Sequence, residues 1–292
     1  MKILLTGKNG QLGWELLRAL QPLGEVNGVD FLEVDLTNSG DVVRLVDDFQ
    51  PQIIVNAAAY TAVDRAESQP DLAFAVNERS VRLLAELANR RRAAFIHYST
   101  DYAYDGSKGS PYVEEDLPNP LNVYGQSKLA GDLAIQQVGG AHLILRTSWV
   151  YSQRQGGFLR KVLQWAREQT HLRMVTDQVG NPTWCRMLAE ATAMLVARSG
   201  NDPYEWFGAR RGLYHLAGSG YTSRYEWTQM ILDLDPHPEE HTAQHFEPAL
   251  TRDFPNPAQR PLFSALDCAR FERVFDLALP PWQAALRMAM EA

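Results

Sequence analysis

The chain has 292 residues, which is enough for one large α/β domain or two modest ones, because single hydrophobic cores stop growing at roughly 250–300 residues. Hydrophobic residues make up 45% of the sequence and charged residues 22%, which excludes collagen-like, low-complexity and largely disordered chains. With 28 Lys and Arg against 35 Asp and Glu the net charge is −7, so nucleic acid, whose phosphates carry the same sign, is not an expected partner.

The first half of the chain alternates short apolar runs with amphipathic stretches. The apolar runs, which predict strands, lie at 3–5, 26–29, 53–55, 94–97 and 143–145, and the amphipathic stretches, which predict helices, lie near 11–20, 40–49, 70–90 and 124–137. Strands that alternate with helices indicate a parallel sheet covered on both faces, and its buried strands are continuously apolar, as these runs are. We therefore predict an α/β fold in which residues 1–150 form a Rossmann-like domain with a doubly wound parallel sheet.

For residues 151–292 we predict a smaller, mixed α/β lobe that binds the substrate. Helical patterns near 157–168, 184–198 and 224–233 are separated by segments rich in Pro, Gly and aromatic residues, and the apolar run 213–217 is a candidate strand for return to the first sheet. Cys185 and Cys268 show no metal-ligand spacing, which favours a reducing compartment. No apolar run approaches the roughly 18 residues that a membrane span requires. We expect a cytoplasmic protein without a membrane partner.

Three glycines, Gly7, Gly10 and Gly13, follow the first predicted strand and open the first predicted helix. In this context one glycine makes a tight turn, one lets the backbone approach a pyrophosphate, and one lets the helix pack closely on the strand. The free N–H groups and the positive dipole at the helix N-terminus favour an anion. The loop therefore predicts a dinucleotide site and makes residues 1–150 a dinucleotide-binding Rossmann domain.

Acidic residues near the second strand bear on the rest of that site. Asp30 ends the strand 17 residues after Gly13, where a carboxylate commonly accepts hydrogen bonds from a ribose. A 2′-phosphate beside Asp30 would meet like charge, so the residues alone favour NADH over NADPH. Asp35 and Leu36 suit adenine recognition, and a helix cap before Thr37 is an equally good interpretation of Asp35.

Tyr124 and Lys128 lie at i and i+4 of a predicted helix, and hence on one face. A phenol with an ordinary pKa near 10 is a poor proton shuttle unless a neighbouring charge stabilises the phenolate, and an ammonium group can do so. Thr100 stands at the end of the fourth strand, where ligands of open parallel sheets bind. We predict Tyr124, Lys128 and Thr100 as a catalytic group, in which Thr100 holds a substrate oxygen.

Five motifs are spread over the first 151 residues. They are the glycine loop at 7–13, Asn-Ala-Ala-Ala-Tyr-Thr-Ala-Val-Asp at 56–64, Ser-Thr-Asp-Tyr at 99–102, Leu-Asn-Val-Tyr-Gly-Gln-Ser-Lys-Leu-Ala-Gly at 121–131 and Arg-Thr-Ser-Trp-Val-Tyr at 146–151. Together they resemble the extended short-chain dehydrogenase/reductase superfamily and, within it, the dTDP-4-dehydrorhamnose reductase family. The resemblance implies an oxidoreductase that uses NADPH or NADH to reduce the C4 ketone of dTDP-4-dehydro-L-rhamnose to dTDP-L-rhamnose, a nucleotide sugar for polysaccharide synthesis.

The resemblance also implies roles for single residues. Tyr124 would donate the proton and Lys128 would bind the nicotinamide ribose. Other cofactor contacts would come from Gly10, Gln11 and Leu12 at the pyrophosphate, Asp30 at the ribose, Asp35 and Leu36 at the adenine, and Ala59, Tyr60 and Thr61 in the middle. The dTDP-sugar would contact Thr100, Asp101, Trp149 and, through its diphosphate, Arg260; a surface arginine without a ligand is an equally good interpretation of Arg260.

Some members of the resembled family are dimers bridged by Mg²⁺ on glutamates. Glu15 and Glu291 stand where two such ligands would lie, but Arg186 occupies the position of a third. A cation opposes binding of a hard dication, so we predict no metal. The expected state is a monomer or a homodimer.

Two alternatives remain open from the sequence. One is another nucleotide-sugar enzyme of the superfamily, an epimerase or a dehydratase; dehydratases usually carry an Asp-Glu pair after the active threonine, whereas Tyr102 follows Asp101 here. The other is a non-catalytic, NADP-binding regulatory subunit, against which the intact set of Thr100, Tyr124 and Lys128 argues.

Overall fold

The computed structural model describes residues 1–154 and 156–291. Its strands are β1 (Lys2–Thr6), β2 (Glu25–Val29), β3 (Ile53–Asn56), β4 (Ala94–Thr100), β5 (His142–Thr147), β6 (Val150–Tyr151), β7 (His171–Val175), β8 (Val179–Gly180), β9 (Thr183–Trp184), β10 (Gly212–His215), β11 (Thr222–Ser223) and β12 (His245–Ala249). Its α-helices are α1 (Gln11–Leu20), α2 (Ser39–Phe49), α3 (Val63–Ala66), α4 (Pro70–Phe74), α5 (Ser80–Arg91), α6 (Val123–Val138), α7 (Phe158–Glu168), α8 (Cys185–Arg198), α9 (Pro203–Gly208), α10 (Arg224–Asp233), α11 (Ala269–Phe275) and α12 (Trp282–Glu291).

Six parallel strands form the central sheet in the order β10-β5-β4-β3-β1-β2. The direction of winding reverses between β1 and β3, and in open α/β sheets ligands bind outside the carboxyl ends of the strands at such a reversal. Thr6 ends β1 there and Asn56 ends β3. The predicted α/β fold with a doubly wound parallel sheet is confirmed, and its topology already indicates where a ligand would lie.

Both faces of the sheet are covered, which explains the continuously apolar strands. Along β1, Leu5 packs into a core cluster that includes side chains of α1 and α8, whereas its neighbour Leu4 packs into a second cluster with side chains of α2 and α5. Successive side chains of a strand point to opposite faces, so a strand buried on both sides has no polar alternation.

The chain after residue 150 contributes to the central sheet and also forms smaller units. Strand β10 pairs with β5 as an edge strand, and the remaining strands form three two-stranded sheets, β6-β9, β7-β12 and β8-β11. Trp184, Trp227 and Trp282 pack together in a separate core cluster of this half. A division of the chain at residue 150 stays a prediction. Within the described part of the chain, no helix combines the length and the apolarity that crossing a membrane would need.

Two predicted elements differ in extent from the observed ones. The stretch 70–90, expected as one helix, is divided into α4, a π-helical turn at Ala75–Arg79, and α5. The turn brings Asn77 against α6, where a side chain at Gly131 would place its Cβ 2.2 Å from the carbonyl oxygen of Asn77. Strand β4 continues past the apolar run to Thr100, because its polar end pairs with β5.

Candidate active site

A cavity of about 870 Å³ opens at the carboxyl ends of the parallel strands. It is lined at one end by the glycine loop and β2, and at the other by residues that follow β4 and β5 and by the start of α6 and α10. The sequence-predicted residues along its wall are Gly7, Gly10, Gln11, Leu12, Asp30, Asp35, Leu36, Ala59, Tyr60, Thr61, Thr100, Asp101, Tyr124, Lys128 and Trp149. The fold thus brings together residues that are far apart in the sequence.

The glycine loop is shaped by close backbone contacts. Gly7 has φ +80°, and a Cβ on it would lie 2.6 Å from the Ala58 nitrogen. Gly13 does not line the cavity, but a Cβ on it would lie 1.8 Å from the Gly7 carbonyl oxygen, so only glycine lets α1 pack this closely on the loop. Gly10 is the N-cap of α1 and supplies no capping side chain, which leaves the first-turn N–H groups available to an anion.

Acidic groups cluster at the β2 end of the cavity. Asp30 accepts hydrogen bonds from the backbone N–H groups of Asn9 and Phe31, both at 2.8 Å. Glu33 pairs with Lys8, and this contact holds the pKa of the Glu33 carboxyl below its ordinary value. The nearest cation of the loop is therefore already paired, and the local charge disfavours a 2′-phosphate.

Asp35 takes part in the turn before α2. Its Oδ1 accepts hydrogen bonds from the Thr37 N–H (2.8 Å) and hydroxyl (2.7 Å), while Asn38 is the N-cap of the helix. Asp35 and Leu36 also line the cavity. The interpretation of Asp35 as a helix cap is therefore wrong, because Asn38 caps α2 and Asp35 only stabilises the turn before it. The turn leaves Asp35 Oδ2 without a partner in the described structure, and the adenine contact stays a prediction.

The middle of the cavity wall is held by Asn77, which no sequence motif indicated. Its side chain accepts a hydrogen bond from the Tyr60 N–H (2.8 Å) and donates to the Tyr60 carbonyl (3.1 Å) and to the Ser127 hydroxyl (3.0 Å). Asn77 belongs to the π-helical turn, and such turns recur at functional sites. It fixes the loop 59–61 relative to α6.

Tyr124 and Lys128 both lie on α6, as predicted, and both line the cavity. Burial raises the pKa of the Tyr124 phenol well above its ordinary value, and a hydrogen bond with Thr100 acts in the opposite direction. The Lys128 amine is within 2.7 Å of the Tyr98 carbonyl oxygen and 3.1 Å of His97 Nε2. In the protein without cofactor, burial thus outweighs the expected lowering of the phenol pKa.

The buried carboxylate of Asp101 connects three segments of the chain through hydrogen bonds. Its carboxylate accepts hydrogen bonds from the hydroxyls of Ser264 (2.5 Å), Ser148 (3.0 Å) and Thr100 (3.2 Å). Burial raises its pKa to about 6, against the effect of these hydrogen bonds. Asp101 therefore orients Thr100 as well as lining the cavity, and Ser264 could not be found from sequence spacing.

Two arginines lie at the far end of the cavity. Arg260 donates to Asp64 Oδ2 at 2.7 Å and is not among the residues that line the cavity. Arg224, which sequence reasoning missed, does line it, with its guanidinium 3.7 Å from the ring centroid of Trp149. Burial lowers the pKa of Arg224 to about 10. Trp149 itself has φ +45°, a conformation that side-chain-bearing residues seldom adopt and that often marks functional sites.

An ion pair lies where members of the resembled family would hold a metal, a position at which we predict none. Arg186 Nε lies 3.4 Å from Glu15 Oε2. Within residues 1–154 and 156–291, no three His, Cys, Asp or Glu side chains are grouped as a metal site would require.

Comparison with known proteins places this geometry in a family. The family model described as the RmlD substrate binding domain matches residues 1–292. The chain belongs to the RmlD family. The match confirms the resemblance seen in the sequence and agrees with the confirmed fold.

The curated relatives of this RmlD-family chain carry one name. A dTDP-4-dehydrorhamnose reductase of Escherichia coli K12 is 42% identical over 98% of this chain and 96% of its own length. One of Burkholderia thailandensis is 41% identical over 99% of this chain and 98% of its own.

Solved structures agree. The dTDP-4-dehydrorhamnose reductase of Bacillus anthracis in complex with NADP superposes with a TM-score of 0.89 at 29% identity, over 99% of this chain and 98% of that one. A Thermus thermophilus UDP-glucose 4-epimerase in complex with NAD has a TM-score of 0.80 at 20% identity, covering 100% of this chain and 98% of its own, and shares the fold.

Proposed function

We propose that this RmlD-family chain is an NAD(P)H-dependent oxidoreductase that reduces the C4 ketone of dTDP-4-dehydro-L-rhamnose to give dTDP-L-rhamnose. One observation carries the proposal: the hydroxyls of Tyr124 and Thr100 and the amine of Lys128 line the same cavity as an uncapped, glycine-rich helix N-terminus. The names of the curated relatives support the substrate, and the NADP complex of a structural relative supports the cofactor.

The residues at the β1 end fit a dinucleotide. Gly7 and Gly10 leave backbone within reach of a pyrophosphate, and the first-turn N–H groups of α1 supply donors and positive dipole. Asp30 is placed to accept hydrogen bonds from a ribose. When bound, the reduced nicotinamide supplies the hydride. We include both NADH and NADPH in the proposal, and the charges of Asp30 and Glu33 favour NADH.

At the other end, the chain's own groups supply a proton and hold the ketone. Tyr124 donates the proton to the C4 oxygen as negative charge develops there, and its raised pKa keeps the phenol protonated at neutral pH. When the substrate is bound, the Thr100 hydroxyl, which otherwise donates to Asp101 at 3.2 Å, turns its proton to the same oxygen. Lys128 binds the nicotinamide ribose, and as an ammonium group it stabilises the phenolate that Tyr124 leaves behind.

Arg224 is the best-placed group for the anionic part of the substrate. Its guanidinium lines the cavity, is held against Trp149, and has no carboxylate within ion-pair distance in the described structure. Arg260, in contrast, is already paired with Asp64. A guanidinium fork matches a diphosphate in geometry and charge, so we assign the diphosphate contact to Arg224 in the first place.

The test follows oxidation of reduced cofactor after addition of dTDP-4-dehydro-L-rhamnose, with the UDP-linked analogue for comparison and dTDP-L-rhamnose identified as the product. Tyr124→Phe is expected to bind cofactor nearly as well as the wild type and to lose turnover by about 100-fold or more, since that is the usual contribution of a general acid. Absence of ketone-dependent oxidation in the wild type would refute the function. Full turnover by Tyr124→Phe would refute only the assignment of the acid.

A further inference from the structure

A chain of buried polar groups runs behind Lys128. The Thr6 hydroxyl donates to Asn56 Oδ1 at 2.6 Å, Asn56 Nδ2 lies 3.0 Å from His97 Nδ1, and His97 Nε2 lies 3.1 Å from the Lys128 amine. All these side chains are at most 1% exposed. Buried polar groups need hydrogen-bond partners, so the contacts between these four side chains determine where their protons lie.

The orientation of the Asn56 amide is fixed by a backbone group that does not belong to this row of side chains. The backbone N–H of Ala58 donates to Asn56 Oδ1 at 3.1 Å, so the NH₂ group must face His97. His97 Nδ1 then accepts a hydrogen bond from Asn56, and the proton of the neutral imidazole lies on Nε2. That N–H points at Lys128, whose nitrogen must accept it. The Lys128 amine also donates to the Tyr98 carbonyl, which an uncharged amine can do at the same time.

If Lys128 is an ammonium group instead, every arrangement of the His97 proton and the Asn56 amide sets two hydrogen-bond donors against each other. If His97 Nε2 accepts from Lys128, the imidazole proton moves to Nδ1 and faces the NH₂ group of Asn56. If the Asn56 amide turns over to relieve this, its NH₂ group faces the N–H of Ala58. Each alternative sets two donors against each other in the interior, at a cost of about 1–3 kcal/mol for a buried group without a partner.

We propose that His97 is a positioning residue that holds Lys128 as an uncharged amine until the cofactor binds, and that cofactor binding is coupled to uptake of one proton by Lys128. The step is simple protonation of the amine by a proton from the solvent. A dinucleotide brings at least two negative phosphate charges into the cavity that Lys128 lines, and opposite charge favours the ammonium form. The inference rests on the proposed function in that it takes the cavity to bind NAD(P)H.

The other charges near Lys128 do not remove the effect. Asp132, one turn further along α6, favours the ammonium form, but it is paired with Arg146 from β5 at 3.0 Å. Burial lowers the pKa of Lys128 to about 8 and that of His97 well below its ordinary value. Tyr124, on the same helix, is an uncharged phenol. The balance of the surrounding groups therefore agrees with a neutral amine in mildly alkaline solution.

The test is calorimetry of NADH or NADPH binding to the cofactor-free protein at pH 8, repeated in buffers of different ionisation enthalpy. The dependence of the observed heat on the buffer gives the number of protons taken up. The wild type is expected to take up at least about half a proton per site, because an amine with a pKa of about 8 is half uncharged at this pH. In Asn56→Asp a carboxylate faces Nδ1, moves the imidazole proton there, and lets Nε2 accept from an ammonium group, so proton uptake should fall towards zero. His97→Gln, whose amide can present either atom to Lys128, should reduce it as well.

His142→Gln is the matched control, because His142 is a buried histidine of the next strand whose side chain bonds, among the described residues, only to the backbone of residues 139 and 140. It should keep the wild-type proton uptake. A second measurement needs no cofactor: ¹⁵N NMR of the imidazole should show His97 protonated at Nε2 in the wild type and at Nδ1 in Asn56→Asp. Binding without proton uptake, or an Nδ1 proton in the wild type, would overturn the inference while leaving the function intact. If neither NADH nor NADPH bound, both the inference and the proposed function would be overturned.

Discussion

Gly13→Ala tests the shape of the cofactor end of the cavity. The added Cβ would lie 1.8 Å from the Gly7 carbonyl oxygen and 3.0 Å from the Lys8 Cα, all of it backbone that cannot rotate away. Helix α1 and the loop must therefore move apart by about 1 Å or more. Overpacking of this kind costs about 1–3 kcal/mol, and the better helix propensity of alanine returns at most about 1 kcal/mol. We expect the free energy of unfolding to fall by about 1–2 kcal/mol and the melting temperature by about 2–4 °C.

The assay combines thermal unfolding with the Kd for reduced cofactor. Because Gly7 and the first turn of α1 form the proposed pyrophosphate site, we expect Kd to rise at least about 10-fold, which corresponds to about 1.4 kcal/mol. Gly208→Ala is the matched control: its Cβ would meet only the Ala141 Cβ at 3.8 Å, so stability should stay equal or rise slightly and Kd should not change. Wild-type affinity in Gly13→Ala would refute the placement of the pyrophosphate.

Three further predictions concern other parts of the site. Arg224→Met, which keeps the bulk against Trp149, should raise the KM for the dTDP-sugar about 10-fold or more in steady-state kinetics and leave the KM for cofactor unchanged; an unaltered sugar KM would contradict the diphosphate contact. Because the pKa of Asp101 is raised in the folded state, the folded protein binds more protons than the unfolded one between about pH 4 and 6. Urea unfolding should therefore show the wild type losing up to about 3 kcal/mol of stability relative to Asp101→Asn as pH rises through that window. A stability difference that does not change with pH would contradict the raised pKa of Asp101. Asn122→Ala removes the N-cap of α6 and should lower stability by about 1 kcal/mol or more and turnover with it, whereas removal of the N-cap of α2 by Asn38→Ala should lower stability alone.

The parts of the fold that the sequence predicted are those that local pattern determines. The strands at the centre of the sheet are apolar runs bounded by turns, and the glycine loop carries its own spacing. The position of Thr100 at the end of β4 was predicted correctly, although the apolar run stops at residue 97. Pairing with β5 and burial beneath the cavity keep Tyr98, Ser99 and Thr100 in the strand. The π-helical turn was missed because its cause, the contact of Asn77 with Tyr60 and α6, is tertiary.

The same distinction holds in the site. Tyr124 and Lys128 were predictable because four residues along a helix set their relation. Arg224 was not, since it reaches the cavity from α10 and is placed by Trp149, 75 positions away in sequence. The resemblance assigned Arg260 to the diphosphate of the substrate, yet its guanidinium is paired with Asp64, a contact that sequence spacing could not show.

The most direct test of the account is to follow the hydride itself. Reduced cofactor that carries deuterium at C4 of the nicotinamide is supplied, on one face at a time, together with dTDP-4-dehydro-L-rhamnose, and the product is analysed by mass spectrometry and NMR. We expect one deuterium at C4 of the rhamnose, delivered from one face of the nicotinamide only. A product without deuterium at C4, or label at another sugar carbon, would contradict the reaction that we assign to this cavity.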